Sequence, residues 1–480
     1  MVFNGKYKAV VSNMNSNYNK PDSTIINELK KIVGSRYVLS DECDIQGYSS
    51  DETPFQKPYY PEVVIKPGDT NTISRVLKLA NNNKIPVVPR GSGTGLSGGA
   101  IPVYGGIVLS LERMNRILEI DENNMTAEVE CGVKLTDLCT EVEKRGLYYP
   151  LHPGEISATL GGNVATNAGG MNAVKYGVTR QHVIGIEAVL ASGKIIKCGG
   201  KFVKVATGYD LTQLLIGSEG TLGVITKIIL KLSAKLPARE ILYAPFNDLQ
   251  SAIDAVPEIL KLKKYPTGLE FIEKDIIDIV EKYTGKKIPY HEYAAFLMII
   301  MEGETQEEVL AYFASVEEIL LKHGAVAALV PNSEGAKRRL FDFREKFYPA
   351  IKNYAPMELI DIVVPRSMIA RFVDRVKEIS GKYGIPVIAY GHAGDGNVHL
   401  HPIMKGISES EWHTKLPLLL KEIYLVGVSL GGAISGEHGI GLVKKDYLPL
   451  QFDRSQIDLL RRVKKAFDPN RILNPGKIFD

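Results

Sequence analysis

A chain of 480 residues is longer than one hydrophobic core serves, so two or three domains are expected. Its hydrophobic share of 45% and charged share of 24% are those of a globular protein. A net charge of +3, from 58 basic and 55 acidic side chains, is too small to drive binding to nucleic acid or an anionic membrane. No apolar run reaches the length of a membrane span, because residues 416–434 are interrupted by Lys421, Glu422 and several glycines. Four cysteines, Cys43, Cys131, Cys139 and Cys198, form no C-x-x-C pair; this argues against an iron–sulfur cluster or structural zinc and fits reduced thiols in a cytosol.

In chain order, residues 1–20 are polar and Asn-rich, without the apolar stretch of a secretion signal, and read as a loose extension. Asp22-Ser23 then opens a capped amphipathic helix carrying Ile25, Ile26, Leu29, Ile32 and Val33, stopped by Gly34. A strand at Val63, Val64 and Ile65, a helix over 72–82 and a strand over 85–89 predict a short βαβ unit. Short β-type runs and glycine-rich loops continue to about Leu232. After Leu236 helical patterns at 249–263, 305–322 and 366–380 alternate with strands at 294–301, 325–330, 359–365 and 385–390, which predicts a separate α+β domain on a largely antiparallel sheet. A glycine-rich loop over 431–441 precedes a last helix, whose basic cluster Arg461, Arg462, Lys464 and Lys465 reads as a solvated face.

The run Gly93-Thr94-Gly95-Leu96-Ser97-Gly98 satisfies G-x-G-x-x-G, and Glu112 follows Gly93 by 19 residues, as in a nicotinamide-nucleotide fingerprint. That fingerprint requires a helix to open at the last glycine. Here the chain passes through Ala100-Ile101-Pro102 and Gly105-Gly106 into a strand, so phosphates would have to be cradled by a nest of backbone amides. Three more such segments follow: Pro153-Gly154 through Gly161-Gly162-Asn163 to Gly169-Gly170, then Tyr176-Gly177, then Gly217-Ser218-Glu219-Gly220 through Gly223. So much backbone without Cβ suits close approach to an extended dinucleotide, with Ser92, Thr94, Ser97 and Thr159 as hydroxyl donors.

Pro89-Arg90-Gly91-Ser92-Gly93-Thr94-Gly95, the Gly161-Gly162-Asn163 loop and Gly217-Ser218-Glu219-Gly220 resemble the FAD domain of vanillyl-alcohol-oxidase-type flavoproteins. The likeness spans residues 57–480 and is greatest to the branch with D-lactate dehydrogenase, the glycolate oxidase flavin subunit and D-2-hydroxyglutarate dehydrogenase. It implies an α+β fold: an FAD-binding domain of two subdomains (21–235), an α+β cap domain with a largely antiparallel sheet (236–430), and a C-terminal segment returning to the flavin to complete the active site (431–480). FAD is expected along Arg90, Gly91, Ser92, Gly93, Thr94, Gly95, Ser97 and Gly98; Pro153, Gly154, Thr159, Gly161, Gly162 and Asn163; Gly169, Gly170, Tyr176 and Gly177; Glu219, Gly220, Gly223, Val224 and Ile225; and Asn474. No histidine in the glycine loop offers a flavin attachment point, so noncovalent FAD is expected.

Five of the nine histidines lie between 392 and 438, and four of these, His392, His399, His401 and His438, stand in two glycine-rich segments. In His392-Ala393-Gly394-Asp395-Gly396-Asn397-Val398-His399-Leu400-His401, Asp395-Gly396 reads as a two-residue hairpin turn, pairing His392 with His399. Opposed residues place Cβ atoms about 4.5–5.5 Å apart on one face, where two imidazoles can share a metal, and His401 follows on that face. Gly436-Glu437-His438-Gly439 supplies a carboxylate. The family motif H-x-G-D-G-N-x-H and its E-H pair imply that His392, His399 and Glu437 hold one divalent metal (zinc, iron or manganese) and that His438 is the general base.

A 2-hydroxy acid needs a cation for its carboxylate, and Arg344 matches the family's arginine; the competing reading is an ion pair with Asp342, Glu345 or another carboxylate. Tyr348 is one turn further on, and His401 stands where the 2-hydroxyglutarate branch carries Asn. No lysine lies in 357–361, where that branch has one for a distal carboxylate, which points to a small monocarboxylate, D-lactate first and glycolate next. Electrons then leave to a separate acceptor, such as an electron-transfer flavoprotein, an iron–sulfur subunit, a quinone or a cytochrome. The rival readings are an oxidase using O₂, a nonenzymatic FAD-binding subunit, and a nicotinamide-dependent dehydrogenase.

Overall fold

The computed structural model describes residues 18–479, and residues 1–17 of the expected extension lie outside the described residues. The first helix is Ser23–Val33, capped by the Asp22 carboxylate on the Ile25 amide. Strands Val63–Ile65 and Val87–Arg90 flank helix Thr70–Asn82, but they are not neighbours. Strand Ile107–Ser110 lies between them and runs parallel to both, and Val38–Leu39 closes the other edge. No helix opens at Gly98; the loop runs directly toward Ile107–Ser110. A second, antiparallel sheet has the order Ile117–Asp121, Thr126–Glu130, Val224–Lys231, Val183–Val189, Ile195–Gly199. The two sheets share one apolar core with helix Leu135–Glu143.

The third sheet is antiparallel throughout, in the order Ala238–Phe246, Ala295–Gly303, Gly268–Glu273, Val387–His392, Asn397–Pro402, Ile360–Val363. Both of its faces are covered, so strand Ala295–Gly303 is a nearly continuous apolar run, whereas Gly268–Glu273 and Asn397–Pro402 interleave apolar and polar residues. One face, with Leu242, Leu269, Phe271, Leu297 and Leu400, packs on helices Leu249–Ile259, Gln306–Lys322, Ile369–Tyr383 and Glu409–Ser429. The other, with Tyr243, Ile272, Phe296 and Tyr390, packs on Lys274–Thr284 and Phe347–Tyr354.

Several expectations change. Residues 325–330 form no strand, only a bridge from Leu329 to Tyr243. The Gly161-Gly162-Asn163 segment is not a loop but part of helix Leu160–Thr166, where Gly161 lets it lie against Cys131. Lys464 leaves the solvated face: it is buried, its ammonium donating to Asp468 Oδ2 at 2.6 Å and to the carbonyls of Thr221 and Leu473 at 2.6 and 2.9 Å. No helix among the described residues is long and apolar enough to cross a membrane.

Candidate active site

The hairpin carrying three histidines closes differently from the two-residue turn. The Asp395 and Gly396 amides both return to the His392 carbonyl, so residues 393–396 all belong to the connection. His392 therefore pairs with Asn397, and Tyr390 with His399. The pairing moves by two residues, and an even shift keeps each side chain on its expected face. Strand register then lays out the site in two rows: Glu270, His392 and Asn397 side by side, and Tyr390, His399 and Asp361 beside them.

His392 Nε2 and His399 Nε2 are 3.3 Å apart, and they lie 3.9 and 3.4 Å from Glu437 Oε1. Ligands about 2.1 Å from a tetrahedral ion sit about 3.4 Å from one another, so this triangle fits a divalent metal. Glu270 Oε1 lies 2.5 Å from His392 Nδ1, which leaves Nε2 turned toward the other two ligand atoms. Burial drives the His399 pKa down to about 3, and His392 and His438 add to this against Glu437. Burial raises the Glu437 carboxyl, but His392, His399 and His438 overcome it and hold it at about 2. His399 is thus neutral beside an ionised Glu437, as metal ligands must be. Burial works to lower the His392 pKa, but Glu270 and Glu437 overcome it and hold it well above the ordinary histidine value, so a metal bound there would displace a proton.

His438 faces this triangle, its Nε2 3.8 Å from Glu437 Oε1. Burial lowers its pKa despite Asp361, so its lone pair is available at neutral pH. The loop bearing Glu437 and His438 takes its shape from Asp361, which is 0% exposed. One oxygen, Oδ2, accepts the amides of Gly436, Glu437 and His438, each at 2.9 Å, and the Ser435 hydroxyl at 3.0 Å. Lys444 Nζ is 3.4 Å from that oxygen, while Asn397 Nδ2 donates to Oδ1 at 2.7 Å.

Arg344 is partly buried, and its partner is neither Asp342 nor Glu345. Its Nε and Nη2 donate to Glu270 Oε2 at 2.9 and 2.6 Å. Its guanidinium also lies 4.9 and 5.0 Å from the Phe347 and Tyr390 ring centres. His401 stacks on Tyr390 and meets its hydroxyl at 3.2 Å, while His401 Nδ1 and the nearby Tyr348 hydroxyl are buried without partners. Sequence reasoning missed Glu270, Asp361 and Lys444. The available signal was a carboxylate inside an apolar strand, since such a charge is retained only where it is paired.

The glycine loops gather beside this cluster, and the chain itself requires some of their glycines. A Cβ at Gly91 would collide with Thr159 Oγ1, and one at Gly169 would press into Glu437. Gly154 has nothing within 4 Å of its Cβ position. Arg90 is spent on the carbonyls of Ser50 and Gly47. Ser97, expected as a free donor, instead binds the carbonyls of His438 and Gly439 at 3.0 and 3.1 Å. Glu219 accepts the amides of Ile440 and Gly441 at 2.8 and 2.7 Å, and Asn474 Nδ2 donates to the carbonyls of Gly99 and Glu219, both at 2.8 Å. The Tyr176 hydroxyl is taken by Glu302 at 2.8 Å. Thr159 Oγ1 and Asn163 Nδ2 remain buried without partners, two polar groups a dinucleotide can satisfy. The Ser92 and Thr94 hydroxyls lie 3.3 Å from one another, and the Cβ positions of Gly93, Gly95 and Gly98 face Arg90, Asp51 and Leu442. A Cβ at Gly162 would meet Thr159 Oγ1, one at Gly170 the backbone of His152 and Pro153, and one at Gly177 the Gln181 side chain, while Gly220 and Gly223 lead into Val224 and Ile225 at the start of their strand.

Such glycine loops beside an antiparallel sheet with an imidazole–carboxylate cluster define a flavin-dependent oxidoreductase. An FAD binding domain matches residues 61–199, and the C-terminal domain of FAD linked oxidases matches 235–478. D-lactate dehydrogenase of Anaerostipes hadrus is 38% identical over 467 residues, covering 96% of this chain and 98% of that protein. Glycolate oxidase subunit GlcD of Bacillus subtilis is 41% identical, covering 90% and 92%. The crystal structure of p-cresol methylhydroxylase with substrate bound superposes with a TM-score of 0.79 at 19% identity, covering 95% of this chain and 96% of that one. The chain belongs to the FAD-linked oxidases, with a vanillyl-alcohol-oxidase-type fold.

Proposed function

We propose that the protein oxidises a small 2-hydroxy acid, D-lactate by preference, to the 2-keto acid and passes the electrons to a separate acceptor. The observation that carries this reading is the triangle of His392, His399 and Glu437, with edges of 3.3–3.9 Å, facing a neutral His438. Bound FAD supplies the two-electron acceptor, and a bound zinc, iron or manganese ion supplies Lewis acidity toward substrate oxygens. Arg344 receives the substrate carboxylate on the guanidinium edge that Glu270 leaves open, and His438 Nε2 takes the proton of the C2 hydroxyl. Tyr348 and His401 border the rest of the substrate. The absence of a lysine in 357–361, together with the names of the relatives, favours a monocarboxylate; glycolate is the second candidate.

In this reading 21–235 holds the flavin, 236–430 the substrate, and 431–480 joins them. The acceptor is an electron-transfer flavoprotein or an iron–sulfur subunit, and four free thiols suit the cytoplasm. Anaerobic stopped-flow mixing with D- and L-lactate, glycolate and D-2-hydroxyglutarate tests the substrate. His438→Ala should slow flavin bleaching by ~10²-fold or more while FAD stays bound. Undiminished bleaching in that variant would sink the base assignment, and rapid reoxidation in air with peroxide release would turn the reading to an oxidase.

A further inference from the structure

Glu270 lies in the strand Gly268–Glu273 and is 0% exposed, so its charge survives only through its partners. Its two oxygens are divided. Oε1 faces His392 Nδ1 at 2.5 Å, and Oε2 takes both Nε and Nη2 of Arg344 at 2.9 and 2.6 Å. Among the described residues no other hydrogen bond of the Arg344 guanidinium stands beside these two, and the rings of Phe347 and Tyr390 lie close to it.

We propose that Glu270 is a positioning residue that makes the substrate anchor and the metal site one unit. The inference rests on the reading of His392, His399 and Glu437 as metal ligands and Arg344 as the carboxylate anchor. By accepting the Nδ1 proton of His392, Glu270 fixes the tautomer whose Nε2 lone pair faces His399 and Glu437. By occupying the Nε–Nη2 edge of Arg344, it leaves the terminal Nη1–Nη2 edge for an incoming carboxylate. Its negative charge also offsets the guanidinium, which would otherwise repel a dication from close by. A glutamine has one acceptor where the carboxylate has two, so it cannot serve both partners and carries no charge. A lysine at position 344 would remove the fork and leave Glu270 free to turn. Arg344, which is not among the ligand atoms of the triangle, therefore influences metal retention.

The test uses FAD-loaded protein stripped with chelator and titrated with Zn²⁺ alone, with flavin content and melting temperature as checks on folding. Glu270→Gln should weaken zinc affinity by about 10–100-fold. Arg344→Lys should weaken it as well, and the double variant should lose no more than Glu270→Gln alone, since both act through one carboxylate. Glu270→Asp, which keeps the charge but draws it back, should fall between wild type and Glu270→Gln and covers the case in which the glutamine variant misfolds. At saturating zinc the Glu270→Gln enzyme should recover kcat while KM for D-lactate stays raised, a split that general loosening of the fold would not produce. Wild-type zinc affinity in both Glu270 variants, with His399→Ala still deficient, overturns the inference and leaves the metal site standing. Undiminished zinc uptake in His399→Ala overturns the metal site itself, and this inference with it.

Discussion

The two faces of the six-stranded sheet are made by the same strands and differ in what they can do. On one, Leu269, Phe271, Val398, Leu400, Ile360 and Ile362 pack against helices, and its carboxylates, Glu240 and Glu273, stand at strand ends paired with Lys337 and Lys377. On the other, one residue along each strand, Glu270, His392, His399 and Asp361 form an ion-paired cluster, buried just as deeply. Alternation in a strand thus lets a scaffold and a reactive surface share a backbone. The apolar face contributes stability through burial, whereas every charge on the polar face needs a partner and so constrains its neighbours.

Substitutions on the polar face should separate chemistry from stability. The largest effect is expected for His399→Ala, which should abolish metal binding and nearly all turnover while the melting temperature changes little; metal analysis alongside steady-state rates would check it. Asp361→Asn comes next. It leaves Lys444 without its anion and presents an amide where three backbone N–H groups converge, so a loss of about 3–5 kcal/mol is expected together with a lower kcat. Denaturant unfolding and the rate of flavin reduction should move together in that variant. On the apolar face, Phe271→Ala should cost about 3–5 kcal/mol but leave turnover per folded molecule unchanged. A fall in its kcat would mean that the two faces are not separable.

The smallest effect concerns Glu358, which precedes the Ile360–Val363 strand. Burial pushes its carboxyl up to about 7. The folded chain then holds a proton that the unfolded chain releases above about 4.5, so this group's contribution to stability is present below that pH and is lost as pH rises through about 7. The slope is at most about 1.4 kcal/mol per pH unit, and Glu358→Gln should flatten it in melting curves taken between pH 4.5 and 7.5.

Much of this organisation is legible in the sequence because it is local. The Asp22 cap, the strand Val63–Ile65, the missing helix after Gly98 and the shared face of His392, His399 and His401 all follow from short-range pattern. The hairpin pairing was misjudged by two residues because Asp395-Gly396 ends a longer connection instead of forming the whole turn. Glu270 and Asp361 could not be placed, since their meeting with His392 and His399 depends on which strands lie side by side, and side-chain periodicity carries no information about that. Lys464 was misread for a related reason: its carbonyl partner at Thr221 comes from 243 residues away.

The seam between Gly169 and Glu437 has a consequence for how the protein is made. Ser97, Gly169 and Glu219 leave the ribosome early, yet each meets a segment synthesised more than 200 residues later. On the proposed roles, a nascent chain that has not reached His438 possesses the glycine loops but neither the base nor the third metal ligand. On those roles translation delivers the base and the third ligand only after the glycine loops they meet, and a chain interrupted before residue 437 would lack both.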